Sequence, residues 1–548
     1  MNATRLNLTT RGLIVAGLAF TGQAATAQHQ LELIGEVDAP SGGAEIVAYD
    51  PFTNQVFSTS GTGIDVYDFG IGSNITASSF IDLSGLFGGT IDSVSSVAID
   101  PLGRGFGAAL AIPDSNTTSL GELVLFNTST GAVVNRISAG FNPDMVTFTP
   151  DGNSILIANE GEASTSGTSD PEGSLGLFNI AGKTLVDLPG LGNADMQSFN
   201  FAPALLDNPA SLDELRIDPR NAANIGIDLE PEYISVSGNK AYVSLQENSA
   251  VGVFDLTTKR WSNIFNIDGK VQTVDASDRD SGINIDDDVF GLFMPDTIAT
   301  YMAGGTTYFV TANEGDARDG VTGEEARVKD LALSAFDAQL ITDLNAIYGD
   351  FQDDEALGRL AITTIDGDTD GDGDIDRLTM YGTRSFSIFN GDTGALVFDS
   401  GSDFETITAL ALPNAFNSDG SNEDNFEGRS DAKGPEPEGI AITEIGGKTL
   451  AAIGLERIGG VMLYDITDPT SADFLQYINT AEFTDVEDAL GTKVAPEGLA
   501  FLEKDGLNYL IVSYEGTGQV DVFQVVPEPS SLALLALGGL MIARRRRG

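Results

Sequence analysis

Tyr233-Ile234-Ser235-Val236, Ala241-Tyr242-Val243-Ser244-Leu245 and Val251-Gly252-Val253-Phe254-Asp255 follow one another closely, and their repetition decides the fold. They read as three short strands separated by turns. The third run ends in a recurring pattern: two apolar residues flanking a variable one, then Phe or Tyr, then Asp, Asn or Gln. The pattern recurs at Ile64–Asp68, Leu123–Asn127, Leu175–Asn179, Phe386–Asn390, Val461–Asp465 and Val520–Gln524. With Val251–Asp255 that makes seven units, each preceded by two strands and usually followed by a fourth, as at Ala132–Ile137 and Ala395–Phe398.

Four antiparallel strands repeated radially predict an all-β fold, a seven-bladed β-propeller with loop and helix insertions on one face. An irregular β-solenoid or two sandwiches is the alternative. The last unit lacks a fourth strand, and Leu31–Val37 is placed to supply it and close the ring. Long insertions at 189–227, 268–292, 315–383 and 401–435 fall between second and third strands or between units. In an antiparallel blade both kinds of connection emerge on one face, so that face is elaborated. Helical spacing over 326–348 predicts an amphipathic helix packed there.

Composition narrows the chemistry. The formal charge is −53, which repels phosphate backbones and anionic lipid heads and argues against nucleic-acid partners. There is no cysteine and one histidine, His29. Thiolate nucleophiles, His-ligated zinc and a Ser-His-Asp triad are thereby set aside, leaving carboxylates, a hard cation and Arg or Lys.

The ends read as addresses. Arg5 and Arg11, the apolar run Leu13–Phe20 and the small residues Ala25-Thr26-Ala27 make residues 1–27 a signal peptide for signal peptidase. The propeller then spans 28–525. Over 526–548, Val526-Pro527-Glu528-Pro529-Ser530 precedes an apolar run, Leu532–Ala543, and the basic cluster Arg544–Arg547. The apolar run is shorter than the roughly 20 residues a membrane helix needs, so it holds a membrane only transiently. This tail resembles a PEP-CTERM sorting motif, which implies a Gram-negative host, processing by an exosortase, and the cell surface or extracellular matrix as destination.

Acids recur at matched places. Glu45, Asp144, Glu232, Asp296, Glu438 and Glu497 open first strands; Glu160, Glu247, Glu314, Glu456 and Glu515 close second strands. Neighbouring antiparallel strands put both sets at the elaborated end of the blades, near the central channel. So many convergent carboxylates repel unless cations or arginines lie among them. Capping of turns accounts for any one acid, but not for the matched set. Arg318, Arg384 and Arg457 stand beside these strand ends, placed to neutralise acids or hold an anion bidentately.

A second metal candidate is the loop Asp366, Asp368, Asp370, Asp372, Asp374 and Asp376 within the 315–383 insertion. Counted from Asp368 it carries oxygen ligands at positions 1, 3, 5 and 9 and Gly373 at position 6, the spacing of a Ca²⁺ loop, with Thr379 where a bidentate Glu is expected. Calcium is therefore the expected cofactor.

Several stretches resemble the choice-of-anchor I domain: Asp228–Ile234, Leu245–Asn248, Met294–Asp296, Thr311–Arg318, Arg384–Ile388, Pro435–Ile440 and Gly454–Arg457. The resemblance covers most of 31–525 and implies a propeller joined to one of several surface-anchoring tails. Ser95 and Ser96 stand where later units have Pro-Glu, which breaks the ring of acids. Some relatives bear alkaline-phosphatase labels, yet zinc–histidine catalysis cannot run on His29 alone, and the resemblance supplies no catalytic residues.

The leading reading is a surface or matrix propeller that binds calcium and a ligand, an extracellular polysaccharide or small anion, without catalysis. The alternative is a calcium-dependent phosphoesterase resembling β-propeller phytases; a lactonase is third.

Overall fold

The computed structural model describes residues 28–70, 74–113, 119–164, 169–318, 323–420, 425–481 and 495–527, together with the backbone of Ile14–Ala16. The rest of the 1–27 leader and the tail beyond Pro527 lie outside the described residues.

The chain is all-β and built as a propeller is, from repeated antiparallel sheets of four strands in meander order. Seven sheets of this kind follow in sequence. Their first strands are Val47–Asp50, Ile91–Ile99, Pro143–Phe148, Pro231–Ser237, Ile298–Ala303, Pro437–Ile445 and Pro496–Lys504. Each first strand contacts the first strand of the next sheet, and that of the seventh contacts that of the first. In the seventh sheet the fourth strand is His29–Asp38, antiparallel to Gln519–Pro527 with Leu33 opposite Phe523. The segment expected to supply the missing fourth strand of the last unit therefore does so. The backbone of Ile14–Ala16 adds an outer strand to the sixth sheet.

Packing between sheets is made by the recurring pattern itself. Its aromatic residues Tyr67, Phe126, Phe178, Phe254, Phe389, Tyr464 and Phe523 are all buried. Each sheet's apolar face meets the next, so the core is a succession of inter-sheet layers. In the fourth sheet Trp261 stacks on Phe201 of the 189–227 insertion, ring centroids 4.6 Å apart. Gly252 opposite leaves room for the indole: a Cβ there would stand 2.8 Å from the ring.

The insertions at 268–292 and 315–383 build a core of their own from Val274, Val289, Phe336, Phe351, Leu360 and Ile362. Phe290 and Thr379 pair in parallel within it. The helix expected over 326–348 is shorter than its spacing suggested: α1 spans only Ala338–Tyr348. Upstream, Glu325–Arg327 is a strand paired with Ala361–Thr363, and Phe336 bridges to Ile375. The carboxylate of Asp337 then accepts from the Gln339 and Leu340 amides at 2.7 and 3.1 Å, which starts the helix there. A second helix, α2, covers Asp403–Ala411 in the 401–435 insertion.

Candidate functional site

Local backbone chemistry aims the acids. Asn142-Pro143-Asp144, Met294-Pro295-Asp296, Glu436-Pro437-Glu438 and Ala495-Pro496-Glu497 repeat one motif. The residue before each proline has positive φ, between 39° and 54°, a region that non-glycine residues seldom occupy. In the third, fourth, sixth and seventh sheets a bulge then follows the proline, between Pro143 and Val146, Pro231 and Ile234, Pro437 and Ile440, and Pro496 and Leu499. A bulge re-aims the side chains it contains, and here those include Asp144, Glu232, Glu438 and Glu497. Across the pair, Pro143, Pro437 and Pro496 face Asn159, Leu455 and Tyr514, so Glu160, Glu456 and Glu515 follow directly beside the first-strand acids. In the fourth sheet the corresponding residue after Leu245 is Gln246, and Glu247 stands one place further on.

Along the inner strands runs a cavity of about 360 Å³, touched by all seven first strands through residues such as Val47, Val97, Val146, Ile234, Ile298, Ile440 and Leu499. The acids at the strand ends feel one another across sheets. Burial, with the charge of Glu515 and Asp144, pushes the Glu45 carboxyl up to about 7. Burial alone lifts Asp144 to about 7. Burial and then Glu45, Glu515, Asp296 and Asp144 raise Glu497 well above its ordinary value. Glu438 is raised by burial and by Glu456, Glu497, Glu314 and Asp296. The Tyr233 phenol is pushed far up by burial and by carboxylates of four other sheets, Glu497, Asp296, Asp144 and Glu438. The structure thus brings the predicted acids together.

Two arcs of this array differ in charge balance. On one, Lys433 Nζ lies 2.7 Å from Glu314 and 3.4 Å from Glu436, while Arg457 reaches Glu436 at 3.2 Å and Glu456 at 3.0 Å. Arg429 adds a contact to Glu436 at 2.5 Å. Burial works against the Glu436 charge, but Lys433, Arg429 and Arg457 overcome it and hold the carboxyl below its usual range. On the other arc, a cavity of about 300 Å³ is walled by Glu160, Glu162, Glu230, Glu232, Gln246, Glu247, Asp316 and Ala317, with no Lys or Arg among the described residues of its wall. Burial first, then Glu160, Glu247, Asp144 and Asp296, raise Glu232 well above its ordinary value. Glu160 is raised by burial, Glu162 and Glu230. Glu247 rises to about 7 through burial, and its Oε2 finds no hydrogen-bond partner among the described residues.

The three arginines have separate fates. Arg457, expected either to neutralise acids or to contact an anion, pairs with Glu436 and Glu456. Arg318 is buried and paired with Asp228 at 2.8 Å and Glu324 at 3.3 Å. Arg384, 1% exposed, pairs with Glu405 at 2.7 Å and donates to the carbonyls of Asp275, Ser430 and Ala432. Its terminal nitrogens are committed inside the fold, so Arg384 is a structural residue and not an anion contact. In the second sheet the expected gap in the acids is present: Ser95 donates to Pro143 O at 2.7 Å, and Ser96 Oγ accepts from Val146 N at 3.1 Å.

The acidic loop is only partly as its spacing suggested. Asp368, Asp370 and Asp376 bring carboxylate oxygens within 4.8 Å of one another, and Asp374 and Asp376 do so with Asp337, the cap of α1. Asp368 also accepts from Gly371 N at 2.7 Å and Gly373 N at 3.0 Å, the tight turn of a cation loop. Asp372 joins neither group, and Asp366 belongs elsewhere: Arg216 holds it at 2.7 Å while also holding Glu324 at 2.6 Å. Sequence reasoning missed Glu162, Glu230, Asp316, Lys433 and Glu436; for Glu230 and Glu436 the signal was present, since each precedes the proline of its Pro-acid pair.

Comparison with known proteins finds matches for both the body of the chain and its tail. The PEP-CTERM protein-sorting motif matches residues 525–547 and marks the chain for exosortase processing and the Gram-negative cell surface. Among the described residues no helix is long and apolar enough to cross a membrane. Gigasin-3a of Magallana gigas is 31% identical over 196 residues, 34% of this chain and 67% of its own length. A mesenchyme-specific cell surface glycoprotein of Strongylocentrotus purpuratus is 27% identical over 250 residues, 40% of this chain, which spans only 31% of that protein. Among solved structures, hydrazine synthase of Kuenenia stuttgartiensis overlays on 90% of this chain and 97% of its own at TM-score 0.46 and 11% identity. The Cps50 (Swd1) β-propeller domain of Myceliophteria thermophila overlays on 91% of this chain and 100% of its own at TM-score 0.43 and 9% identity. The choice-of-anchor I domain matches residues 45–469, most of the chain, and the protein belongs to that family.

Proposed function

We propose that this protein is a seven-bladed propeller displayed at the cell surface or in the extracellular matrix, whose acidic face binds calcium and, through it, an anionic or polysaccharide ligand without catalysis. The cyclic contacts of the seven first strands support the blade count. One observation carries the cation reading: among the described residues no Lys or Arg lines the cavity walled by Glu160, Glu162, Glu230, Glu232, Glu247 and Asp316, and Arg318, whose charge reaches Glu230 and Glu247, is paired with Asp228 and Glu324. Carboxylates this close and this buried persist only when protonated or bridged by a cation, and oxygen-only walls select hard ions such as calcium. The loop Asp368, Asp370 and Asp376 offers a second, more exposed place for the same ion.

A phosphoesterase needs positive charge beside its metal to hold a phosphate, and on this face Lys433, Arg429 and Arg457 are already engaged with Glu314, Glu436 and Glu456. The binding reading is therefore preferred. The test is calorimetric titration of the chelator-stripped full chain with calcium, paired with an assay of aryl phosphate hydrolysis. Calcium uptake that raises the unfolding temperature without turnover is the expected result. No uptake overturns the cation reading, and calcium-dependent turnover replaces it with the phosphoesterase.

A further inference from the structure

Two insertions meet at a cluster that shares no residue with the channel acids or the 366–376 loop. Asp275 follows the strand Gly269–Val274, Asp280 lies in the turn beyond it, and Glu427 comes from the 401–435 insertion. The three bring carboxylate oxygens within 4.8 Å of one another. Asp275 is 0% exposed and Glu427 3%. Asp275 Oδ1, Asp280 Oδ1 and Glu427 Oε1 are all buried and find no hydrogen-bond partner among the described residues.

Nearby donors are spent on the other oxygens of these carboxylates or on other groups. Asn284 donates its backbone amide to Asp275 Oδ2 at 2.7 Å and its side-chain amide to Asp280 Oδ2 at 2.9 Å. Arg384 reaches the Asp275 main-chain carbonyl and pairs with Glu405. Arg279 and Arg359 pair with Asp278 at 2.9 and 2.5 Å. The backbone is bent to present the group, with φ of 61° at Glu427 and 78° at Ser281. Burial, then Asp275, Asp280 and Asp278, push the Glu427 carboxyl up to about 8.

We propose that Asp275, Asp280 and Glu427 form a calcium site that ties the 268–292 insertion to the 401–435 insertion. Three buried oxygens without donors, from three carboxylates, are a costly arrangement by themselves and a fitting one for a hard cation. Calcium–oxygen distances of about 2.3–2.6 Å place two ligands of one ion up to ~5 Å apart, which accommodates the observed spacing. The site stands whether or not the channel acids bind calcium.

The test compares full-length wild type with Glu427→Gln, Glu232→Gln and Asp368→Asn, each stripped with chelator and titrated with calcium while sites are counted. Glu427→Gln is expected to lose one calcium per chain and the calcium-dependent protection of residues 401–435 from protease, with an unfolding temperature in chelator no lower than wild type. The other two variants are expected to keep this site, so failure of the channel or loop reading shows separately. If Glu427→Gln does not fold, Asp280→Asn at a less buried position gives the same count. A folded variant that binds the wild-type number of calcium ions with unchanged affinity overturns the proposal.

Discussion

Arg384 joins three parts of the chain: its own strand start, Glu405 in α2, and the main chain around Asp275 and Ser430. Removing one partner of a buried ion pair leaves the other charged and dry, so Arg384→Met is expected to destabilise by about 3–5 kcal/mol in urea denaturation. An anion-contact arginine would instead weaken ligand binding and leave stability nearly unchanged. That distinction was not readable from sequence, because Arg384 and Glu405 stand 21 residues apart with nothing local to pair them. The Pro-acid motif was readable because proline and acid repeat at one position of the third to seventh units. The cluster of Asp275, Asp280 and Glu427 was not, since its third member comes from another insertion. Even within the motif, Glu247 was matched to the wrong register: pairing of Pro231 with Leu245 puts Gln246 at that place.

Strands were more legible than helices, for a physical reason. A strand's partner lies a turn away, so alternation and turn residues suffice, whereas the apparent helical spacing of 326–336 was overridden by pairing with 361–363 and with Ile375. Between neighbouring sheets the fit is close. A Cβ on Gly498 would stand 2.3 Å from Glu45 O and 2.2 Å from Ser513 Oγ, so the seventh and first inner strands approach only because that residue lacks a side chain. Gly498→Ala is expected to cost about 1–3 kcal/mol, through overpacking, and to show first as loss of amide protection along 496–504 and 45–50 in hydrogen exchange. A variant of full stability would mean that this seam is looser than its contacts indicate.

For the molecule as a whole, the convergent acids set the response to pH. Folded-state values near 7 for Glu45, Asp144 and Glu247 and near 8 for Glu456 exceed those of the unfolded chain, about 4. Between those limits the folded state holds more protons, so in chelator stability falls as pH rises from about 5 to about 8. Thermal unfolding across that range is expected to show a declining midpoint without calcium and a nearly level one with millimolar calcium. A midpoint that rises with pH in chelator would remove the protonated-acid account of this face.

The pairing of His29–Asp38 with Gln519–Pro527 has a consequence in time. A chain that crosses a membrane amino end first delivers one half of this seam at the outset and the other half almost last. The leading strand must wait, unpartnered, through the passage of nearly five hundred residues. Sheets one to six can form as they emerge, while the seventh cannot. The sorting motif matches from residue 525, inside that final strand. Any pause imposed by the tail at the membrane therefore falls on the strand whose pairing completes the seventh sheet.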